Sequence, residues 1–270
     1  MKNKLLAAPY IVWMVLFTLI PLGIVFYYAL TDSMTGQFTL ANLASIGTYL
    51  PIFLRSIWLS LFASLICLVI GYPVAYFIAQ CKPLTQRFLE MLIMLPMCMS
   101  FLLRTLAWVA MLEDTGIINN FIRAIGLNPL PLIRTNGAVI LGMVYNYLPY
   151  MILPLYTVIM KIDRRLIEAA SDLGCTPRQV FTKVILPLSG PGILSGITMV
   201  FVPAVSTFVI SRMLGGGSNL LIGDLIEMQF LGNSYNLNVG SAMSLVLMII
   251  VLLCMSFTSS FDEDEMEGVS

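Results

Sequence analysis

The chain has 270 residues, 59% of them hydrophobic and only 10% charged, with a formal net charge of zero. A soluble domain carries about 25% charged residues, and apolar runs of about 20 residues recur here, which places the chain in a bilayer. Zero net charge gives nucleic-acid binding no electrostatic support, and the absence of histidine removes imidazole acid–base chemistry, His–metal sites and the usual catalytic triads.

The first apolar run, 9–30, is of full membrane length and lacks a small-residue cleavage site, so it reads as a retained helix and not a signal peptide. Lys2 and Lys4 precede it, favouring a cytosolic start. Trp13 and Tyr27/Tyr28 sit near its ends as interfacial aromatics do, and Pro21 is expected to bend it. Residues 31–52 form a polar outer loop.

The second span is 53–80. It contains Gly71-Tyr72-Pro73, where a kink is expected because proline removes a donor and crowds the preceding turn. The third, 88–112, is interrupted by Pro96, with methionines around the break that suit adaptable packing. Arg104 lies about sixteen residues in, roughly 24 Å up a straight helix, which puts it near the outer boundary and not at the midplane. Snorkelling to headgroups and lining a pathway are equally open for it. Trp108 follows one turn later. In the second outer loop, 113–136, Ile117, Ile118, Phe121, Ile122 and Ile125 recur at helical spacing, the pattern of a short helix on the membrane surface.

The fourth span, 137–160, carries Tyr145-Asn146-Tyr147 mid-span and two prolines, Pro149 and Pro154. A polar amide there is either satisfied against another helix or faces a water-filled cavity. Two prolines in one span predict a helix that flexes or is locally broken. The fifth span, 191–214, has Pro203 in its middle. Outer loop 215–238 opens on Gly215-Gly216-Gly217. The sixth is 239–258, and the acidic tail, 259–270, reads as solvated and disordered.

Six spans with both termini cytosolic describe an all-α integral membrane protein. The basic residues test the orientation. Lys2, Lys4, Lys82, Arg87 and the five in 161–187 make nine inside, against Arg123 and Arg134 outside; that asymmetry is the one the positive-inside rule requires. The five cysteines are scattered and form no CxxC pair, so they read as small apolar filler.

The longest polar passage between apolar runs is 161–187, KIDRRLIEAASDLGCTPRQVFTKVILP. Leu166, Ile167, Ala169, Ala170 and Leu173 give its first helix one apolar face. Gly174 stands where a left-handed C-terminal cap is favoured. Thr176-Pro177 restarts the chain as N-cap and first helical residue, and Gln179 completes a capping box. An ordinary loop rarely spends so many residues on two capped helices, so this elbow reads as a docking element facing the cytosol.

Glu168-Ala169-Ala170, then three residues to Gly174, then nine to Val184-Ile185-Leu186-Pro187 resembles the EAA signature of permease subunits of bacterial ABC importers, with Val184 where isoleucine is usual. Gly71-Tyr72-Pro73-Val74-Ala75-Tyr76, Leu95-Pro96, Arg104, Gly116-Ile117-Ile118-Asn119 and Leu214-Gly215-Gly216-Gly217 through Leu221-Ile222-Gly223 extend the similarity to the PotB-type permeases of spermidine/putrescine importers. The resemblance implies a type I importer permease fold in the bacterial inner membrane. It implies partners as well: a homologous second permease (PotC-type), an ATPase homodimer (PotA-type) and an extracytoplasmic polyamine-binding protein (PotD-type). Glu168, Ala169, Ala170, Asp172, Gly174 and Arg178 would then be the residues that couple to the ATPase.

The chain has no GxxxxGK[ST], so no Walker A loop binds ATP here; ATP and Mg are expected in the partner ATPase, and no cofactor in this chain. Carboxylates and aromatic faces suit a flexible polycation. Asp224 and Glu227 in an outer loop could form a negative vestibule or contact the binding protein. Arg104, Trp108, Tyr145, Asn146 and Tyr147 could line the path or serve helix packing. A self-standing transporter or channel would show an intramembrane charge relay or inverted repeat, and an enzyme would need a reactive cluster; neither is evident.

Overall fold

The computed structural model describes residues 9–33, 35–217, 219–232 and 235–267; Lys2 and Lys4, on which the cytosolic start rests, lie outside them. Among the described residues the chain is helical, with one isolated bridge pairing Thr31 and Phe38. Four helices are long and apolar enough to cross a membrane: α1 (Pro9–Ala29), α2 (Ala41–Gln80), α6 (Asn136–Lys161) and the Leu237–Ser256 part of α12 (Leu237–Glu267). Two bent pairs bring the number to six. The first is α3 (Pro83–Cys98) with the run that α4 (Phe101–Leu112) opens, bent by 84°. The second is α8 (Pro177–Leu188) with α9 (Gly190–Ser206), bent by 61°. Short helices fill the connections: α5 (Ile117–Ala124), α7 (Arg164–Asp172), α10 (Val209–Gly215) and α11 (Ile222–Leu231). The all-α, multi-span class expected from the apolar runs is the observed one.

The breaks do not fall where prolines alone would put them. Helix α2 is continuous through Pro73, α6 through Pro149 and Pro154, and α9 through Pro203. Of the two alternatives for the fourth span, a helix that flexes or one that is locally broken, the break is not found. Its helix is the central one, packed on α2 and α9 along its length, and neighbouring helices hold a proline-bearing segment in place. The fifth span ends earlier than 191–214 implied: α9 stops at Ser206, Thr207 is extended, and α10 restarts at Val209. The acidic stretch expected to be disordered continues α12 as helix to Glu267.

Where proline does act, it widens a turn. Val15–Leu19 and Phe181–Ile185 are π-helical, and each ends two residues before a proline, Pro21 and Pro187. The residue before the proline donates its N–H five residues back: Ile20 to the Val15 carbonyl, Leu186 to that of Phe181. The missing proline donor and the crowding of its ring account for this wider turn.

Two apolar cores hold the bundle. One joins α2, α6 and α9 through residues such as Cys67, Met143, Met151, Leu155 and Val200; the other joins α1, α2, α9, α11 and α12 through Ala29, Phe53, Val205, Ile222 and Met243. Close approach at α6 depends on Gly142, where a Cβ would lie 2.4 Å from Leu214 Cδ1. The outward face of α2 keeps Trp58, Phe62, Leu65, Val69 and Phe77 exposed, as lipid or another membrane chain requires.

Candidate functional site: the elbow and the broken span

The elbow is built by local chemistry. The Asp163 carboxylate accepts the Arg165 N–H at 2.9 Å and starts α7. At the other end the Cys175 N–H donates to the Ala170 carbonyl at 3.1 Å and the Gly174 N–H to that of Ser171 at 2.9 Å. This pair of bonds is the Schellman closure, and Gly174 takes the left-handed φ of 83° that it needs. Thr176 then opens α8 with a reciprocal capping box: its N–H donates to Gln179 Oε1 at 2.8 Å, and its Oγ1 accepts the Gln179 N–H. One helix is stopped and the next restarted within four residues.

Glu168, Ala169, Asp172, Gly174 and Arg178 are exposed and Ala170 is half-buried; no residue of α7 is buried. Leu166 and Leu173 are 49% and 86% exposed. An amphipathic helix that leaves its apolar positions uncovered presents a surface to something else. Behind it, a cavity of about 530 Å³ lies between the elbow and the ends of α2, α3 and α6, with Tyr76, Gln80, Gln86, Arg164 and Glu168 in its wall.

The elbow is fastened to the membrane helices by α8. Val180 and Ile185 are buried. Between them Phe181 sets its ring against Tyr72 (5.7 Å, 88°) and Tyr76 (5.5 Å, 80°) of α2, the edge-to-face geometry aromatics prefer. Tyr72 in turn shares a 2.8 Å hydrogen bond with Ser189, at the bend between α8 and α9. Sequence reading missed this contact. Its trace was the aromatic pair Tyr72 and Tyr76, four apart and therefore on one face of α2.

The candidate pathway residues divide. Trp108 on α4 meets Tyr145 on α6 (5.4 Å, 72°), and Tyr145 remains 40% exposed. Tyr147 points the other way: it is buried, and its hydroxyl donates to the Pro203 carbonyl in α9 at 3.3 Å. Asn146 is buried between them. Its Nδ2 donates back to the Gly142 carbonyl at 2.9 Å, while its Oδ1 has no hydrogen-bond partner among the described residues.

Arg104 does not lie where a straight helix would carry it. The chain turns by 84° at Met99–Ser100, so residue count along the third span no longer measures height. Arg104 is buried and within electrostatic reach of Tyr147, the twelfth of the 26 residues of α6.

The two outer acids are engaged. Asp224 is fully buried; its Oδ2 accepts the Leu221 N–H at 2.8 Å at the start of α11, and among the described residues its Oδ1 has no hydrogen-bond partner. Burial pushes its carboxyl above the ordinary range, against the opposing pull of Ser211, the Leu221 N–H and Arg212. Glu227 pairs with Arg212 through both oxygens. On the same side, Arg55 of α2 bonds Asn136 (2.6 Å) and Asn219, and Asn219 donates to the Arg134 carbonyl at 3.0 Å. Among the described residues there is no group of three or more acids or cysteines that could hold a metal ion.

An exposed, doubly capped elbow on a bundle of bent spans is matched by a known sequence pattern. The model of the family described as "Binding-protein-dependent transport system inner membrane component" matches residues 68–262. The chain belongs to that family. It is a multi-pass protein of the cytoplasmic membrane and a transport subunit.

Curated relatives include the spermidine/putrescine transport system permease protein PotB of Salmonella typhimurium, 38% identical over 88% of this chain and 86% of the relative. The PotB protein of Escherichia coli K12 is 37% identical over 88% and 90%. The inner membrane ABC transporter permease protein YdcU of the same bacterium is 29% identical over 90% and 82%. Among solved structures, a chain of a bacterial ABC transporter that imports the acidic polysaccharide alginate superposes with a TM-score of 0.79 at 18% identity, covering 96% of both chains. The MetNI methionine ABC transporter gives 0.57 at 20%, covering 79% of this chain and 94% of that one. These two likenesses give the fold: that of ABC importer permeases.

Proposed function

We propose that this chain is a permease subunit of an ATP-driven importer of spermidine- and putrescine-class polyamines, forming half of the translocation pathway. The observation that carries the substrate class is the 38% identity to PotB permeases along 248 residues. The geometry supports the rest of the reading. The subunit pairs with a homologous second permease, and the outward face of α2 and the broken span are suited to a shared pathway. Its elbow seats on a separate ATPase homodimer, which binds ATP and Mg and does the hydrolysis. Glu168, Ala169, Ala170, Asp172, Gly174 and Arg178 form that contact, and Phe181 carries its movement to α2 through Tyr72 and Tyr76. The chain itself is non-catalytic. An extracytoplasmic polyamine-binding protein delivers the substrate to the outer loops.

Both termini are cytosolic in this reading, which the nine-to-two distribution of basic residues supports. The 29% identity to YdcU favours, as second reading, a permease of the same kind for another small solute. Reconstitution with the partner subunits and the cognate binding protein, followed by ATPase assay against a solute panel, separates the two. Spermidine and putrescine are expected to stimulate hydrolysis; no stimulation by either, with another solute active, would hand the assignment to the second reading.

A further inference from the structure

We propose that the cavity between α9, α11 and α12 is a subsite for an ammonium end of the polyamine, and that the substrate takes Glu227 over from Arg212 on entering it. The inference deepens the polyamine reading above and rests on it. The cavity measures about 480 Å³. Helical repeats build its wall: Ser244, Leu247, Met248 and Val251 share one face of α12, and Gly223 and Glu227 stand one turn apart on α11. Val202 and Ser206 are one turn apart at the end of α9. Gly223 sets the closeness. A Cβ there would lie 2.5 Å from the Thr207 carbonyl oxygen, so glycine lets α11 close on the break after α9. That closure brings Glu227 and Phe208 into one wall.

The polar groups of this wall accept and do not donate. Ser206 and Ser244 spend their hydroxyl protons on the carbonyls of Val202 and Gly240 in their own helices, at 3.2 and 2.9 Å, which leaves their lone pairs. Glu227 contributes a carboxylate, and Phe208 a ring whose face attracts cations. The last turn of α9 adds the negative end of a helix dipole. Among the described residues no lysine or arginine lines this cavity. In the cavity behind the elbow Arg164 shares the wall with Glu168, and beside α3 Arg87 shares one with Glu90. Val202, Leu247, Met248 and Val251 supply an apolar floor. Acceptors around an apolar floor match an ammonium on an alkyl spacer and offer an anion nothing.

The carboxylate is reachable. The Glu227 side chain is 22% exposed and Phe208 is 41% exposed. Arg212, 48% exposed, holds Glu227 through both oxygens from outside the cavity wall. So exposed a pair is weak, and an arriving ammonium can displace the guanidinium. Arg212 thus satisfies the carboxylate between substrates and competes with each one that enters.

The test is equilibrium binding of radiolabelled spermidine to the full permease–ATPase complex in nanodiscs of zwitterionic lipid, without the binding protein, in resting and vanadate-trapped states. Glu227→Gln should weaken binding about tenfold through loss of the charged acceptor. Arg212→Gln should tighten it, because the competing cation is gone. A merely structural ion pair would weaken binding in both variants, and that result overturns the proposal. Phe208→Leu should cost about threefold, while Phe208→Trp retains affinity. An uncharged alkanediol of similar length should not compete. Competition by the diol equal to that by spermidine would make the cavity an apolar or acyl-chain groove, and overturns the ammonium assignment. Unchanged affinity in Glu227→Gln, or no binding in either state, overturns it too. The ATPase panel separates this from the polyamine reading. Stimulation by polyamines there, with affinity indifferent to these variants, sinks the subsite alone; no stimulation by either polyamine sinks the reading and the subsite with it.

Discussion

The hydroxyls of Tyr72 and Ser189 lie 2.8 Å apart, both buried, and tie the second span to the bend between the elbow and the fifth. Ser189 also donates to the Leu186 carbonyl, so removing the tyrosine hydroxyl leaves it with a partner. Tyr72→Phe should therefore lower stability by only about 1 kcal/mol, read as a small shift in the thermal unfolding of the purified complex. A loss of several kcal/mol would mean that the bond organises more than its own pair.

Phe181 is the aromatic link between the elbow and α2. Phe181→Ala removes two edge-to-face contacts and should cost about 1–3 kcal/mol. The more telling readout is coupling: ATPase activity should persist while uptake per ATP falls. Phe181→Trp or Phe181→Tyr should restore much of that ratio. Equal losses of hydrolysis and uptake in the alanine variant would place Phe181 in general packing.

Gly174 has open space around a notional Cβ but a φ of 83°. The cost of a side chain there is thus backbone strain alone, about 1–2 kcal/mol for an ordinary residue. Gly174→Val should impair transport and ATPase coupling while membrane insertion stays intact, and Gly174→Asn should be milder. Unchanged uptake in the valine variant would remove the glycine turn from the coupling account.

Gly142 meets the opposite constraint. An added methyl would fall 2.4 Å from Leu214 Cδ1 and 2.9 Å from Ile210 Cγ2. Gly142→Ala should cost about 1–3 kcal/mol by overpacking, and Leu214→Ala on the same chain should recover part of it. Additive losses in the double variant would show that the two positions do not share one contact.

Asp224 gives a pH dependence. Burial raises its folded-state carboxyl above the ordinary value of 3.8, so the folded protein holds that proton more tightly than the unfolded chain. The group's contribution to stability is then full below pH 3.8 and lost as pH rises through the raised value. At neutral pH the ionised form is a cost. Asp224→Asn keeps an acceptor for the Leu221 N–H and should raise the melting temperature by a few degrees at pH 7, with the gain fading toward pH 4. A variant that melts lower at pH 7 would show that the carboxylate is compensated.

What the sequence alone determined is what neighbouring residues decide among themselves. Membrane residence follows from apolar runs long enough to span, and it needed no tertiary information. The elbow was legible for the same reason. A glycine after the last helical residue, and Thr176 three residues before Gln179, are local instructions, and the bonds they specify are the ones present. Family membership was legible because the elbow's spacing is a fixed pattern.

Only the tertiary structure decided the rest. Pro149 and Pro154 do not break α6, because packing on α2 and α9 outweighs the local penalty of proline. The third span turns by 84° and the fifth stops at Ser206, so counting residues along a run does not give the height of Arg104. Asp224 reads in sequence as one more outer-loop acid, yet it is fully buried. Burial and depth are set by residues far away along the chain, and only folding brings those together. Arg104 shows the limit most clearly: its charge is written in the sequence, but that its Nε and Nη1 lie buried without a hydrogen-bond partner among the described residues depends on how α4 packs against α6 and α10.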